Sequence, residues 1–157
     1  MHDEISKITN KITGTIKILV IDGQGGGLGK SIIEQLKLVK KDMSDCEITA
    51  AGTNSAASAA MLKSGADIAA TGENAIIYNA KRADIIAGAV GICFANSMRG
   101  EISPNIATAV CESDAVKILI PIPAPMSKCH INIMGVTEKP MAHYITEAVE
   151  KIKEICK

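Results

Sequence analysis

The chain has almost no aromatic residues: one Phe, two Tyr and no Trp among 157 residues. That scarcity removes the stacking platforms on which single-stranded nucleic acids are held. It also means that the core must be built from Ile, Val, Leu, Met and Ala. Surplus charge is missing too, since 17 Lys and Arg balance 17 Asp and Glu. A nucleic-acid footprint needs a basic excess, and so does a polybasic membrane patch; neither partner is expected. No apolar run approaches the ~20 residues of a membrane span. The start, Met1-His2-Asp3-Glu4, has neither the basic nor the apolar region of a signal peptide, so a cytoplasmic location is expected. The cysteines (Cys46, Cys93, Cys111, Cys129 and Cys156) are odd in number and contain no CxxC pair, which argues against a disulfide framework. Most are expected to serve as small buried apolar residues.

What is present is apolar patterning. With 47% hydrophobic residues, the chain is expected to fold. Its length suits one domain, and a chain of this size hides roughly 70% of its unfolded surface. Residues 1–15 are polar, with Ile5, Ile8 and Ile12 at helical spacing, and are expected as an N-terminal extension. Residues 16–157 are expected as a single domain.

Ile16 to Ile21 is a near-continuous apolar run that reads as a buried parallel strand. After the glycines, Leu28, Ile32, Leu36 and Val39 recur at helical spacing and predict a helix to about Lys40. Further strands are predicted at 47–51, 66–70, 83–90 and 116–120, and an edge strand at 129–136. Residues 74–80 fit strand or helix. Asn54 or Ser55 can cap one helix, Ser103-Pro104 starts another, and a last one runs from near Pro140. Ile145, Val149, Ile152 and Cys156 form its inner stripe, and Glu147 with Lys151 an exposed i,i+4 pair. Strands alternating with amphipathic helices predict a Rossmann-like α/β fold: a doubly wound, mostly parallel sheet with helices on both faces.

The strongest local signal is Asp22-Gly23-Gln24-Gly25-Gly26-Gly27-Leu28-Gly29, with five glycines in seven residues. It lies between a predicted strand and a predicted helix, the context in which such a loop holds phosphate. Glycines permit a tight turn and let a phosphate approach the backbone. Free N–H groups and the helix dipole then favour an anion. A phosphate-bearing small molecule is the expected partner, held from Gly25 to Gly29. Where the second strand ends, an NAD site places an acid for the ribose. Here stand Gly52-Thr53-Asn54-Ser55, without one, so NADP, with Thr53 and Asn54 on its 2′-phosphate, is the cofactor the loop permits. Asp22 suits neither phosphate scheme; it can accept hydrogen bonds from loop amides and hold the turn, or instead bind a cation or a ribose hydroxyl.

Other strand ends supply weaker candidates. Glu73 fits a general base or a first-turn helix acid; Asn96 and Ser97 fit ligand contacts; Arg99 fits an anion clamp. Cys129-His130 matches no zinc spacing, and no metal is expected. The leading expectation is thus a nucleotide- or dinucleotide-binding protein, either an NADP-linked oxidoreductase or a sensor of such a ligand. One alternative rests on Gly26 to Ser31, which resembles the end of a deviant P-loop and makes Lys30 and Ser31 phosphate and Mg²⁺ ligands of an NTPase. Another is a non-catalytic binding or assembly module, with a homodimer formed through apolar edges.

The run Val20 to Lys30, together with Ala51-Gly52-Thr53-Asn54, residues 70–76 and Asn96 to Ile102, resembles a family of small bacterial proteins described only as a domain of unknown function, found largely in anaerobic Firmicutes. The resemblance covers the chain from about Ile16. It implies the Rossmann-like fold and a bacterial cytoplasmic setting, and it brings no activity with it.

Overall fold

The apolar run after Gly14 becomes the centre of a five-stranded sheet. A computed structural model describes residues 14–122, 133–137 and 139–157. The strands are β1 (Ile16–Asp22), β2 (Cys46–Gly52), β3 (Ile68–Thr71), β4 (Ile85–Ala89) and β5 (Val116–Ile120). Their spatial order is β3-β2-β1-β4-β5, and every pairing is parallel. The helices are α1 (Gly27–Val39), α2 (Ser55–Lys63), α3 (Glu73–Ala80), α4 (Pro104–Glu112) and α5 (Met141–Ile155).

Alternation along β1 assigns the two faces. Ile18 and Val20 join a core with Ile32, Leu36, Met61 and Val149, so α1, α2 and α5 cover one face. Leu19 and Ile21 join Ile76, Ile106 and Val110, so α3 and α4 cover the other. This is the Rossmann-like α/β architecture expected from the sequence. Tertiary burial decides α1, which carries Gly27 and Gly29 in its first turn. Fully burying Ile32, Ile33 and Leu36 contributes roughly 1.5–3 kcal/mol each. That outweighs the loss of about 1 kcal/mol for each glycine.

Several expected details shift. The third strand begins at Ile68, because Gly65 at φ +110° ends α2 and Ala66 is still bonded to it through Met61. The fourth begins after Asp84, whose carboxylate caps the Lys17 N–H at 2.8 Å. Residues 74–80 are helical, with Ile76 and Ala80 facing inward. Of the edge strand expected at 129–136, residues 133–136 form a turn around Gly135, at φ +82°. The remainder lies outside the described residues, as do Cys129, His130 and residues 1–13 of the expected extension. Glu147 pairs with His143 at 3.1 Å and Lys139 at 3.5 Å, while Lys151 turns to Glu154. The expected Glu147–Lys151 pair is therefore absent. Cys46 and Cys156 are buried, Cys93 is half-buried and Cys111 is exposed. No helix among the described residues is long and apolar enough to cross a membrane.

Candidate functional site

The parallel register brings four strand ends level. Asp22 pairs with Gly52, Gly52 with Thr71, and Ile21 with Gly88. At β1 the strand order reverses, running out to β3 on one side and to β5 on the other. Open α/β sheets bind ligands outside the carboxyl ends of the strands at such a point. A crevice of about 740 Å³, its open mouth included, lies there. One wall is the glycine loop from Asp22 to Leu28. The other carries Ala89, Val90, Gly91, Phe94, Ser97, Met98 and Ile122. The crevice is thus apolar on one side and backbone on the other.

The five glycines divide by what a side chain would meet. A Cβ on Gly29 would lie 2.4 Å from Met61 Sδ and 2.9 Å from Asp22 Cβ, so this glycine lets α1 pack against β1 and α2. Gly26 has φ +72°, and its Cβ would lie 2.8 Å from the Ala57 backbone. Gly23 is pressed by Glu101, Thr53 and Met98. Gly25 and Gly27 differ: a Cβ on either meets nothing within 4 Å, and neither has a positive φ. Both line the crevice. Nothing inside the described protein requires these two to lack a side chain.

The loop amides divide the same way. The Asp22 carboxylate accepts the N–H of Gly23 at 2.8 Å and of Gly29 at 2.7 Å, and Leu28 also donates to it. Asp22 therefore caps the first turn of α1 from the end of β1 and satisfies donors that a helix start leaves orphaned. Gly26 N–H donates to the Gly23 carbonyl at 2.9 Å. Among the described residues, only the Gly25 and Gly27 amides of the five expected donors have no partner. Of the amides from Gly25 to Gly29 that the sequence offered as phosphate donors, these two are the ones left open.

Burial raises the Asp22 carboxyl above its ordinary value; the amides of Gly29, Gly23 and Leu28 oppose this only in part, and the Glu101 charge adds to the rise. The folded protein then holds a proton that the unfolded chain has already released. Stability must fall as pH climbs from the ordinary Asp value toward the raised one. Asp22→Asn is expected to flatten that slope, as read by urea denaturation from roughly pH 4 to pH 7.

Glu101 is the residue the sequence did not single out. Its Oε2 accepts the Gln24 N–H at 2.7 Å, the Asn54 amide at 3.1 Å and the Thr53 hydroxyl. Burial pushes its carboxyl up, but these three hydrogen bonds outweigh burial and hold it below the ordinary range. Glu101 belongs to the loop after β4, yet its carboxylate rests on the loops after β1 and β2. An acid absent from the end of β2 in sequence thus reaches it from another loop, with its carboxylate taken up by Thr53 and Asn54. The signal available was only that Glu101 lies in a polar loop at a strand end.

That loop is strained. Asn96, Met98 and Arg99 have φ of +65°, +53° and +58°, a region costing roughly 1–3 kcal/mol for each non-glycine residue. The buried Ser97 hydroxyl donating to the Gly91 carbonyl, and the Asn96 N–H donating to the Ile102 carbonyl at 2.7 Å, hold it in place.

The remaining sequence candidates scatter. Gln24, Leu28 and Ser97 line the crevice. Thr53 and Asn54 do not; both are held by Glu101, and Asn54 also caps α2 through the Ala57 N–H at 2.9 Å. Asn96 and Arg99 are exposed and off the crevice wall. Glu73 begins α3, off the crevice wall, and accepts the hydroxyl of Ser103, the cap of α4. Lys30 faces Glu34 at 3.8 Å, and the Ser31 hydroxyl donates to the Gly27 carbonyl at 3.1 Å. The structure therefore does not bring the P-loop candidates to the crevice. No cluster of three or more His, Cys, Asp or Glu side chains among the described residues is placed to hold a metal.

Comparison with known proteins adds family membership and little chemistry. Residues 17–157 match the family model described as a domain of unknown function, DUF3842. No curated protein matches. A solved structure, that of a dodecameric FMN-dependent UbiX-like decarboxylase from Escherichia coli O157:H7, is 14% identical, with a TM-score of 0.46. The match covers 87% of this chain and 94% of that one.

Proposed function

The chain belongs to the DUF3842 family, and from the geometry of its site we propose that it binds a compact phosphate ester with an apolar body, of mononucleotide size, in the crevice between β1 and β4. The observation that carries this reading is the pair Gly25 and Gly27. Each lacks a Cβ where a Cβ would meet open space, and each keeps an amide without a partner among the described residues. A phosphate over these two amides gains two donors at the start of α1, where the helix dipole favours an anion. The apolar side chains of Val90, Phe94, Met98 and Ile122 suit the ligand's body.

A 2′-phosphate fits poorly. Thr53 and Asn54, its expected partners, already carry the Glu101 carboxylate, which repels a second anion. This favours a ligand with a free ribose over NADP. The described residues offer ligand contacts and no nucleophile–base pair at the crevice, so the reading is one of binding.

The test is thermal shift and calorimetry with AMP, GMP and FMN, against adenosine and riboflavin as phosphate-free controls. A ligand at 100-fold its Kd stabilises by about 2.7 kcal/mol. Stabilisation by a phosphate ester but not by its phosphate-free partner is expected. Equal shifts from both, or none from any ester, would overturn the reading. Lys30→Ala is expected to change neither ligand binding nor its response to Mg²⁺. It should also alter stability by no more than about 0.5 kcal/mol, since an exposed pair contributes little. Loss of Mg²⁺-dependent ATP binding in that variant would restore the NTPase alternative.

A further inference from the structure

We propose that Glu101 is a specificity-determining latch that bars the β2 half of the switch-point groove and so keeps dinucleotides out. The inference rests on the reading of the crevice as a phosphate-ester site.

In this sheet order a dinucleotide must cross the end of β1, with one half toward β4 and the other toward β2. The crevice does not make that crossing. Its lining includes residues after β1 and β4 but neither Thr53 nor Asn54 after β2. What stands between is the Glu101 side chain. It leaves the loop after β4, passes Gly23, where its Oε2 would lie 2.7 Å from a Cβ, and ends on Gln24, Thr53 and Asn54. One oxygen therefore ties together loops from three strands. Asn54 strengthens the tie by donating to the Gln24 carbonyl at 2.9 Å.

The latch is held from both ends. On its far side are three hydrogen-bond donors, and hydrogen bonds to a charged acceptor are about twice as strong as neutral ones. On its near side, the strained backbone from Asn96 to Gly100 is fixed by the Ser97 hydroxyl on Gly91 and by the fully buried Ile102. A ligand half seated over β2 must displace the carboxylate and leave the Gln24 amide and Asn54 to be re-satisfied. A compact ligand on the β4 side displaces nothing.

The substitutions Glu101→Ala and Glu101→Gln separate this idea from a role in folding. Ala removes the bridge. Gln keeps an oxygen that accepts from the same three donors. The measurement is calorimetric titration of each protein with AMP and with NAD⁺, with circular dichroism confirming that each is folded. The expected result is that NAD⁺ binds the wild type at least tenfold more weakly than AMP. In Glu101→Ala the ratio of the two dissociation constants then falls at least tenfold, while in Glu101→Gln it stays near the wild-type value. NAD⁺ failing to gain on AMP in Glu101→Ala would overturn the latch, as would Glu101→Gln admitting NAD⁺ as freely as Ala does. The proposed occupant fails separately. If AMP does not bind the wild type, yet NAD⁺ binds only when the bridge is removed, the latch stands and the compact-ligand reading falls. If neither nucleotide binds any of the three proteins, both fall.

Discussion

Gly29→Val is expected to destabilise the fold by about 3 kcal/mol, the upper end of what overpacking a tight core costs. The first atom of the new side chain would lie 2.4 Å from Met61 Sδ and 2.9 Å from Asp22 Cβ. Met61 is fully buried against the sheet and has little room to yield. Moving α1 outward instead would pull the Gly29 amide from the Asp22 carboxylate and leave a buried charge short of a donor. Gains in helix propensity are too small to compensate. Urea denaturation should show a lower midpoint with an unchanged slope, and the melting temperature should fall by roughly 2–4 °C per kcal/mol. A variant as stable as the wild type would mean that α1 does not sit on β1 as described.

Gly27→Val, two residues earlier, is expected to do the opposite. Its Cβ projects into open space in the crevice. The protein should fold with unchanged stability, and Gly27→Ala should gain up to about 1 kcal/mol by relieving a glycine in a helix. The side chain of Val, however, stands over an amide proposed to receive phosphate. Affinity for AMP or FMN should drop at least tenfold, which corresponds to about 1.4 kcal/mol. Retained affinity would remove the main support for the phosphate site. Together the two substitutions separate a glycine required by packing from a glycine that leaves room for something else.

That separation was not available from spacing. In the sequence all five glycines carry the same message, because a glycine needed for a turn, for close packing or for a ligand is the same letter. Neighbours distinguish them: Met61 and Ala57 arrive from α2, and Glu101 from the loop after β4. Asp22 shows the same limit. Beside a phosphate loop it looked misplaced, and accepting loop amides was one reading among several. The register that sets β1 beside α1 makes it the cap of α1. Arg99 drew notice in its loop because a guanidinium is a good anion ligand, but a left-handed backbone turns it to solvent. Glu101, two positions on, does the bridging instead.

The sequence by itself determined the α/β class, the strand–glycine loop–helix unit and which loops gather at the carboxyl ends of the strands. These follow from local periodicity and from backbone freedom, both of which are written along the chain. It also carried the inner stripes of α1 and α5 and the caps at Asn54 and Ser103. Only the tertiary structure decided how many loop amides remain open, that Lys30 and Ser31 lie outside the crevice lining, and that an acid reaches the end of β2 from a different loop. The reason is physical. Hydrogen-bond partners and close contacts at this site join residues such as Glu101 and Thr53 that are far apart in the chain, and the parallel register brings them together.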